Sequence, residues 1–342
     1  MLKDYRGRFP FRLATTSYIY PDKVVPNVAK LAPFFDEIEL VFFESESRDN
    51  LLHGEELKAL TDLSSDHGLK YNIHLPLDLF LGDKREAVRT KGISAAKGMI
   101  ARTLALNPSV YTLHLDTFDG VKAPFLNRGK KRRSVSTLSP RPELGPKGIR
   151  RALVRQAHPL ERSRETDRGV EWVDSENLSG PAFDRRGKEG KGVGRGEVER
   201  WVLEPDVEGW RMRLSRSLEE ILSDGIEAKR ISIETLGYPF EWVEDIVERF
   251  EFSICLDIGH LLSHGQDLRS YLERYLPKAS IIHLHGFEDG MDHLGIDRLS
   301  EPALGLVLSH LHDYRGIVSF EVFSIEDLKR SLTLLEEKWE KR

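Results

Sequence analysis

Short β-branched runs alternate with amphipathic stretches along most of the chain, the pattern of a parallel sheet covered by helices. Eight strands are predicted, at residues 12–20, 37–44, 70–77, 110–117, 230–236, 252–258, 280–286 and 317–323. Helices are predicted between them, at 51–67, 210–222 and 240–250 among others. In six strands one parity is apolar: Tyr71/Ile73/Leu75, Tyr111/Leu113/Leu115, Ile231/Ile233, Phe252/Ile254/Leu256, Ile282/Leu284 and Val318/Phe320/Val322. These side chains are expected to face the helices. Eight β/α units at this spacing fit a single (β/α)8 TIM barrel better than an open sheet. No G-x-G-x-x-G follows the first strand to suggest a dinucleotide site.

The opposite parity starts with mostly smaller residues, Asn72, Thr112, Ser232, Cys255, Ile281 and Ser319. Two residues later each strand carries a metal-ligand type: His74, His114, Glu234, Asp257, His283 and Glu321. Barrel sites of this kind lie at the C-terminal strand ends, so these six should converge. His260 follows Asp257 by three residues, and His293 lies in the loop after strand seven. Any one of these side chains is readily explained as a packed or hydrogen-bonded residue. Six at matching positions are not, because several buried carboxylates need cations to pair them. Imidazole and carboxylate without thiolate suit Zn, Mn or Fe in an open site.

Charge changes the picture of domain organisation. The net charge of −5 over 342 residues hides a segment, 121–200, with 20 of the 51 Lys and Arg but 11 of the 56 Asp and Glu. That segment carries +9 and the rest −14, and it also holds 10 of the 27 glycines and 6 of the 16 prolines. It is expected to be a basic, poorly ordered insertion after strand four, with 1–120 and 201–342 forming the two halves of the barrel. A lid over the site, or an arm for RNA, anionic lipid or a partner protein, are the functional alternatives. The one cysteine, Cys255, excludes an intrachain disulfide and reads as a small buried thiol. With no signal peptide or membrane span evident, a cytoplasmic location is expected.

The whole constellation resembles the xylose-isomerase-like barrel superfamily, which includes endonuclease IV and many sugar-phosphate isomerases and epimerases. The resemblance covers residues 9–119 and 205–335. It implies that His74, His114 and Glu234 hold one ion, and that Asp257, His283, Glu321 and shared Glu234 hold another. The Asp257/His260 pair matches an Asp-x-x-His motif. His293 matches the histidine of an Asp-x-His motif, but Met291 stands where the aspartate would be. A third ion on His260 and His293 would therefore need Asp292 or Asp289.

A closer resemblance is to the cobamide-remodeling phosphodiesterases of this superfamily. It is carried by TTSYIYP at 15–21, IELVFFE at 38–44, IHLPLDL at 73–79, ETLGYPFE at 234–241, CLDIGHLL at 255–262, IHLHG at 282–286 and EVFS at 321–324. It implies metal-dependent hydrolysis of the phosphodiester in the nucleotide loop of a B12-like cobamide, with two or three divalent ions, zinc first among them. Glu234, His260, His285 and His293 are the candidate catalytic residues, acting through bound metal, as ligand-orienting partners or as proton donors.

The alternative is sugar-phosphate isomerisation or epimerisation with one ion on Glu234, Asp257, His283 and Glu321, a scheme that leaves His74 and His114 without a ligand role. A small-molecule substrate is expected in either case. Abasic-site cleavage is disfavoured because a barrel at −14 repels nucleic acid. Glu39 and Glu44 bracket strand two, whose parity is ambiguous, and Tyr18, Tyr20 and Tyr238 are candidates for stacking on a planar ligand.

Overall fold

The computed structural model describes residues 2–46, 52–116 and 206–340, so the basic segment 121–200 lies outside the described residues. Eight parallel strands close into a barrel: β1 (Arg12–Thr16), β2 (Glu37–Val41), β3 (Lys70–His74), β4 (Tyr111–Leu113), β5 (Ile231–Glu234), β6 (Ser253–Asp257), β7 (Ala279–His283) and β10 (Ile317–Phe320). Each pairs with the next in chain order, and β1 joins β10 to close the ring. The strands end earlier than the alternation suggested. β3 stops at His74 and β7 at His283, so the ligand-type residues sit at or just past the strand ends.

The pleat sorts the side chains as the alternation requires. Tyr71, Ile73, Ile231, Ile233, Ile254, Leu256, Val318 and Phe320 enter the large core between strands and helices. Burying a side chain of this size contributes about 1.5–3 kcal/mol. Ala14, Val110, Cys255, Ile281 and Ile317 alternate with them and form a separate small cluster that fills the barrel interior. Cys255 is fully buried there, and burial pushes its thiol well above the ordinary range.

At the N-terminal strand ends the barrel also holds a polar group. Arg12 reaches the buried carboxylate of Glu37 at 2.9 Å, and Asn72 and Ser109 donate to the same group at 3.0 and 3.2 Å.

The helices that follow β1 and β3 are α1 (Val24–Leu31) and α3 (Glu86–Thr103). Elsewhere local chemistry supplies a cap. In α2 (Gly54–His67) the His53 amide donates to the Glu56 carboxylate at 2.9 Å. In α4 (Val207–Leu222) Asp206 accepts from the Gly209 amide. The region 240–250 is not one helix. A single 3₁₀ turn, Phe240–Trp242, precedes the α-helix Glu244–Phe250, here α5. Among the described residues no helix is long and apolar enough to cross a membrane.

One element goes beyond the sequence-based expectation. His293 does not lie in an irregular loop after strand seven. It lies on β9 (Met291–Leu294), which pairs antiparallel with β8 (Gly286–Glu288) in a hairpin separate from the barrel. Asp289 and Gly290 form its turn with φ of 52° and 77°, the left-handed pair that a tight hairpin requires.

Candidate metal centre

Because the strands are parallel, their C-terminal ends share one rim, and the inward residues there meet. Asp257 and His283 are register partners on β6 and β7, so they stand side by side. His74 ends β3, Glu234 ends β5, and His114, His285 and Glu321 follow β4, β7 and β10. Asp257 also caps the short helix α6 (Ile258–Ser263), accepting from the His260 amide at 2.7 Å, which turns His260 toward the same rim. The hairpin swings Asp292 and His293 in from the side, whereas Asp289 is exposed at its tip.

Glu234 is central. Its Oε2 lies 3.2 Å from His74 Nε2 and 2.9 Å from His114 Nε2, and its Oε1 lies 3.3 Å from His260 Nδ1. The Nδ1–H of His74 donates to the Leu75 carbonyl at 2.9 Å, which aims Nε2 inward. His283 Nδ1 lies 3.1 Å from Glu321 Oε2 and 3.7 Å from both Glu234 and Asp257. On the hairpin side, His285 Nε2 is 3.1 Å from Asp257 Oδ1, and its Nδ1 is 3.2 Å from Asp292 Oδ1. His260 Nε2 is 3.4 Å from Asp292, and His293 Nε2 is 3.4 Å from Glu321.

Among the described residues three sets of donor atoms come close enough to hold a metal ion: His74/Glu234/His283, Glu234/Asp257/His283/Glu321 and His260/His285/Asp292/His293. His114 is in none of these sets and enters through its contact with Glu234. His285, which the His-x-His spacing marks in sequence, lies in the third.

A cation fits the chemistry of these donors. Glu234 Oε1, Glu321 Oε2 and the Nδ1 atoms of His260, His283 and His293 are buried and have no hydrogen-bond partner. Their neighbours are near in distance but not aligned for hydrogen bonds. Stranding such atoms costs about 1–3 kcal/mol apiece, more for charged groups. A divalent ion removes that cost.

The electrostatics agree. Burial raises the Glu234 carboxyl, but the His114 and His283 imidazoles outweigh it and hold the group well below the carboxylate range. Burial likewise acts on Glu321, and His283 and His293 pull it down. For His74 burial acts downward, yet the Glu234 carboxylate wins and pushes it up to about 9. His285 is also pushed up to about 9, by Asp257 against its own burial. Without metal, protons on imidazoles balance the carboxylates.

Two residues were left open by sequence. Glu39 points into the barrel, fully buried, with Oε1 3.0 Å from His283 Nε2. Glu44 is exposed. Tyr18 packs edge-on against Phe43 at 5.0 Å, and Tyr238 against Trp210 at 5.6 Å.

No family model matches the chain, and no match among curated protein sequences is found. Solved structures do match it over nearly their whole length. A D-tagatose 3-epimerase-like protein is 18% identical with a TM-score of 0.59, covering 96% of this chain and 97% of its own. Endonuclease IV from Thermus thermophilus is 15% identical with a TM-score of 0.56, covering 97% and 100%. The IolI protein with a binding zinc atom is 14% identical with a TM-score of 0.54, covering 96% of each. The chain therefore shares the (β/α)8 barrel fold of these structures, and at the C-terminal ends of its strands it carries a histidine–carboxylate cluster whose donor atoms lie close enough to hold a metal ion.

Proposed function

We propose that the protein is a divalent-metal-dependent enzyme that hydrolyses a phosphodiester. The observation that carries this reading is the number of convergent donors. Ten side chains, the six strand-end residues with His260, His285, Asp292 and His293, crowd one rim, and four suffice for one zinc ion. In this reading His74, His114 and Glu234 hold one ion, and Glu234, Asp257, His283 and Glu321 hold a second. His260, Asp292 and His293 hold a third. Zinc suits the mixed imidazole and carboxylate set.

Divalent ions held here would supply Lewis-acid activation of a water nucleophile and of the phosphoryl group. The chain's own contribution is to fix their spacing. Glu234 sits between His74, His114 and His260, so one carboxylate spaces the ion sites. His285 is fully buried between Asp257 and Asp292 and orients both carboxylates. His114 and His260 are partly exposed at the rim and face the approaching substrate. The nucleotide loop of a cobamide as the substrate is supported by the sequence motifs rather than by the fold neighbours.

A second reading is sugar isomerisation or epimerisation. It is favoured by the epimerase-like fold neighbour and by the compact Glu234/Asp257/His283/Glu321 set, which alone would serve one ion with Glu234 and Glu321 as acid and base. Incubating metal-replete protein with a cobamide and with sugar phosphates, and following products by mass, separates the two. Cobamide cleavage with two or more ions per chain is expected. Sugar interconversion with one ion and no cleavage would replace the first reading by the second.

A further inference from the structure

We propose that Glu39 is a positioning residue that fixes the ring orientation and tautomer of His283, so that His283 offers Nδ1 to metal. The inference rests on the metal reading of the centre and goes beyond it by adding a residue that is not itself a ligand. Glu39 lies on β2, separated from β7 by β1 and β10 around the barrel, and is fully buried. Both of its oxygens are committed. Oε1 is 3.0 Å from His283 Nε2, and Oε2 accepts from the Ser319 hydroxyl at 2.7 Å. Ser319 is the register partner of His283 on β10, so its hydroxyl holds the Glu39 carboxylate beside the ring.

A carboxylate at this contact accepts only, so the proton of neutral His283 must sit on Nε2. The lone pair is then on Nδ1, the atom that faces Glu321, Glu234 and Asp257 and has no hydrogen-bond partner. Glu39 belongs to none of the three donor sets. A buried carboxylate with one hydroxyl and one imidazole is an expensive way to fill a barrel, and a better-packed apolar residue would stabilise the fold as well or better. Orienting a ligand imidazole explains its presence, since such an outer carboxylate fixes the tautomer and raises ligand basicity.

The test is zinc affinity, by competition with a chromophoric chelator, of wild type, Glu39→Gln and Glu39→Ala. The expected result is a loss of roughly 10–100-fold, larger for Ala than for Gln, with apo-protein melting largely preserved. Unchanged affinity in both variants overturns the proposal and leaves the metal reading standing. No zinc uptake by wild type overturns both. Should the variants fail to fold, the cadmium-loaded wild type with isotope-labelled histidine decides by NMR, with His283→Gln assigning the resonance. Cadmium coupling to Nδ1 of His283, and a proton on Nε2, is expected. Coupling to Nε2 overturns the proposal.

Discussion

Gly259 lies directly against the imidazole of His285: a Cβ added to it would overlap Cε1, Nδ1 and Nε2 of the ring. The glycine is required by close approach rather than by its backbone angles. It lets the ring slide between Asp257 and Asp292 while stacking on His293 with centroids 4.3 Å apart and planes at 10°. Gly259→Ala is expected to cost about 1–3 kcal/mol of stability through overpacking. It should also displace His285 and weaken metal binding at the His260/Asp292/His293 set. Thermal melting and the metal content after dialysis check this, and wild-type values for both would refute it.

Glu234 and His293 should differ sharply when changed. Glu234 touches His74, His114 and His260, so Glu234→Gln is expected to remove more than one ion. Turnover should fall by more than the roughly 10–100-fold that loss of an outer-sphere partner costs. His293→Ala removes a donor from the hairpin set only and should leave the Glu234/Asp257 ions in place. Metal analysis of the two purified variants, side by side, tests the division. Equal losses would mean that the centre is one site rather than several.

Much of this centre was legible before the fold was known, because a strand's period of two puts ligand-type residues on one face and a barrel gathers its strand ends. Glu39 stayed undecided because strand two reads as Glu39/Val41/Phe43, with Glu37 before them, in one parity and Ile38/Leu40/Phe42 in the other. The carboxylates mark the inner face only once pairing with β1 and β3 is known. The hairpin was missed although Asp289-Gly290 is a strong turn signal, because its strands of three and four residues are too short to show alternation. His285 continues the inward parity of β7 two residues past the strand's last residue, His283, and that phase together with the His-x-His spacing marks it in the sequence.

The apo protein should lose stability as pH rises from neutral. His74 and His285 have folded pKa values of about 9 against an ordinary 6.5, because Glu234 and Asp257 outweigh the opposing effect of burial. A raised folded pKa contributes stability that is fully present below the unfolded value and is lost as pH climbs through the folded one. Metal must displace these same protons, so zinc affinity should rise over that window and level off above about pH 9. Melting curves of apo and zinc-loaded protein between pH 6 and 10 check both slopes. An apo protein whose melting temperature does not fall across the window would show that the imidazoles are neutral without metal.

At the opposite end of the barrel, Glu37 is fully buried and paired with Arg12, whose side chain is 36% exposed. Burial raises the Glu37 carboxyl even though Arg12, Asn72 and Ser109 pull it down. Arg12→Met would leave that carboxylate without its cation. The expected cost is about 3 kcal/mol, the low end for a broken buried pair because Arg12 is not itself enclosed. Glu37 escapes part of the cost by taking up a proton. Its raised folded pKa makes the variant's deficit smallest in acid, growing as pH rises above the ordinary carboxylate value of 4.5. The double change Arg12→Met with Glu37→Met should recover much of the loss, since two apolar side chains replace the pair without leaving a charge. Denaturant unfolding at two pH values measures the deficit. Metal content is expected to stay at the wild-type level, because Arg12 and Glu37 stand at the N-terminal starts of β1 and β2, away from the strand ends that carry the donor sets. A variant that loses its ions together with its stability would show that the two ends are coupled through the barrel.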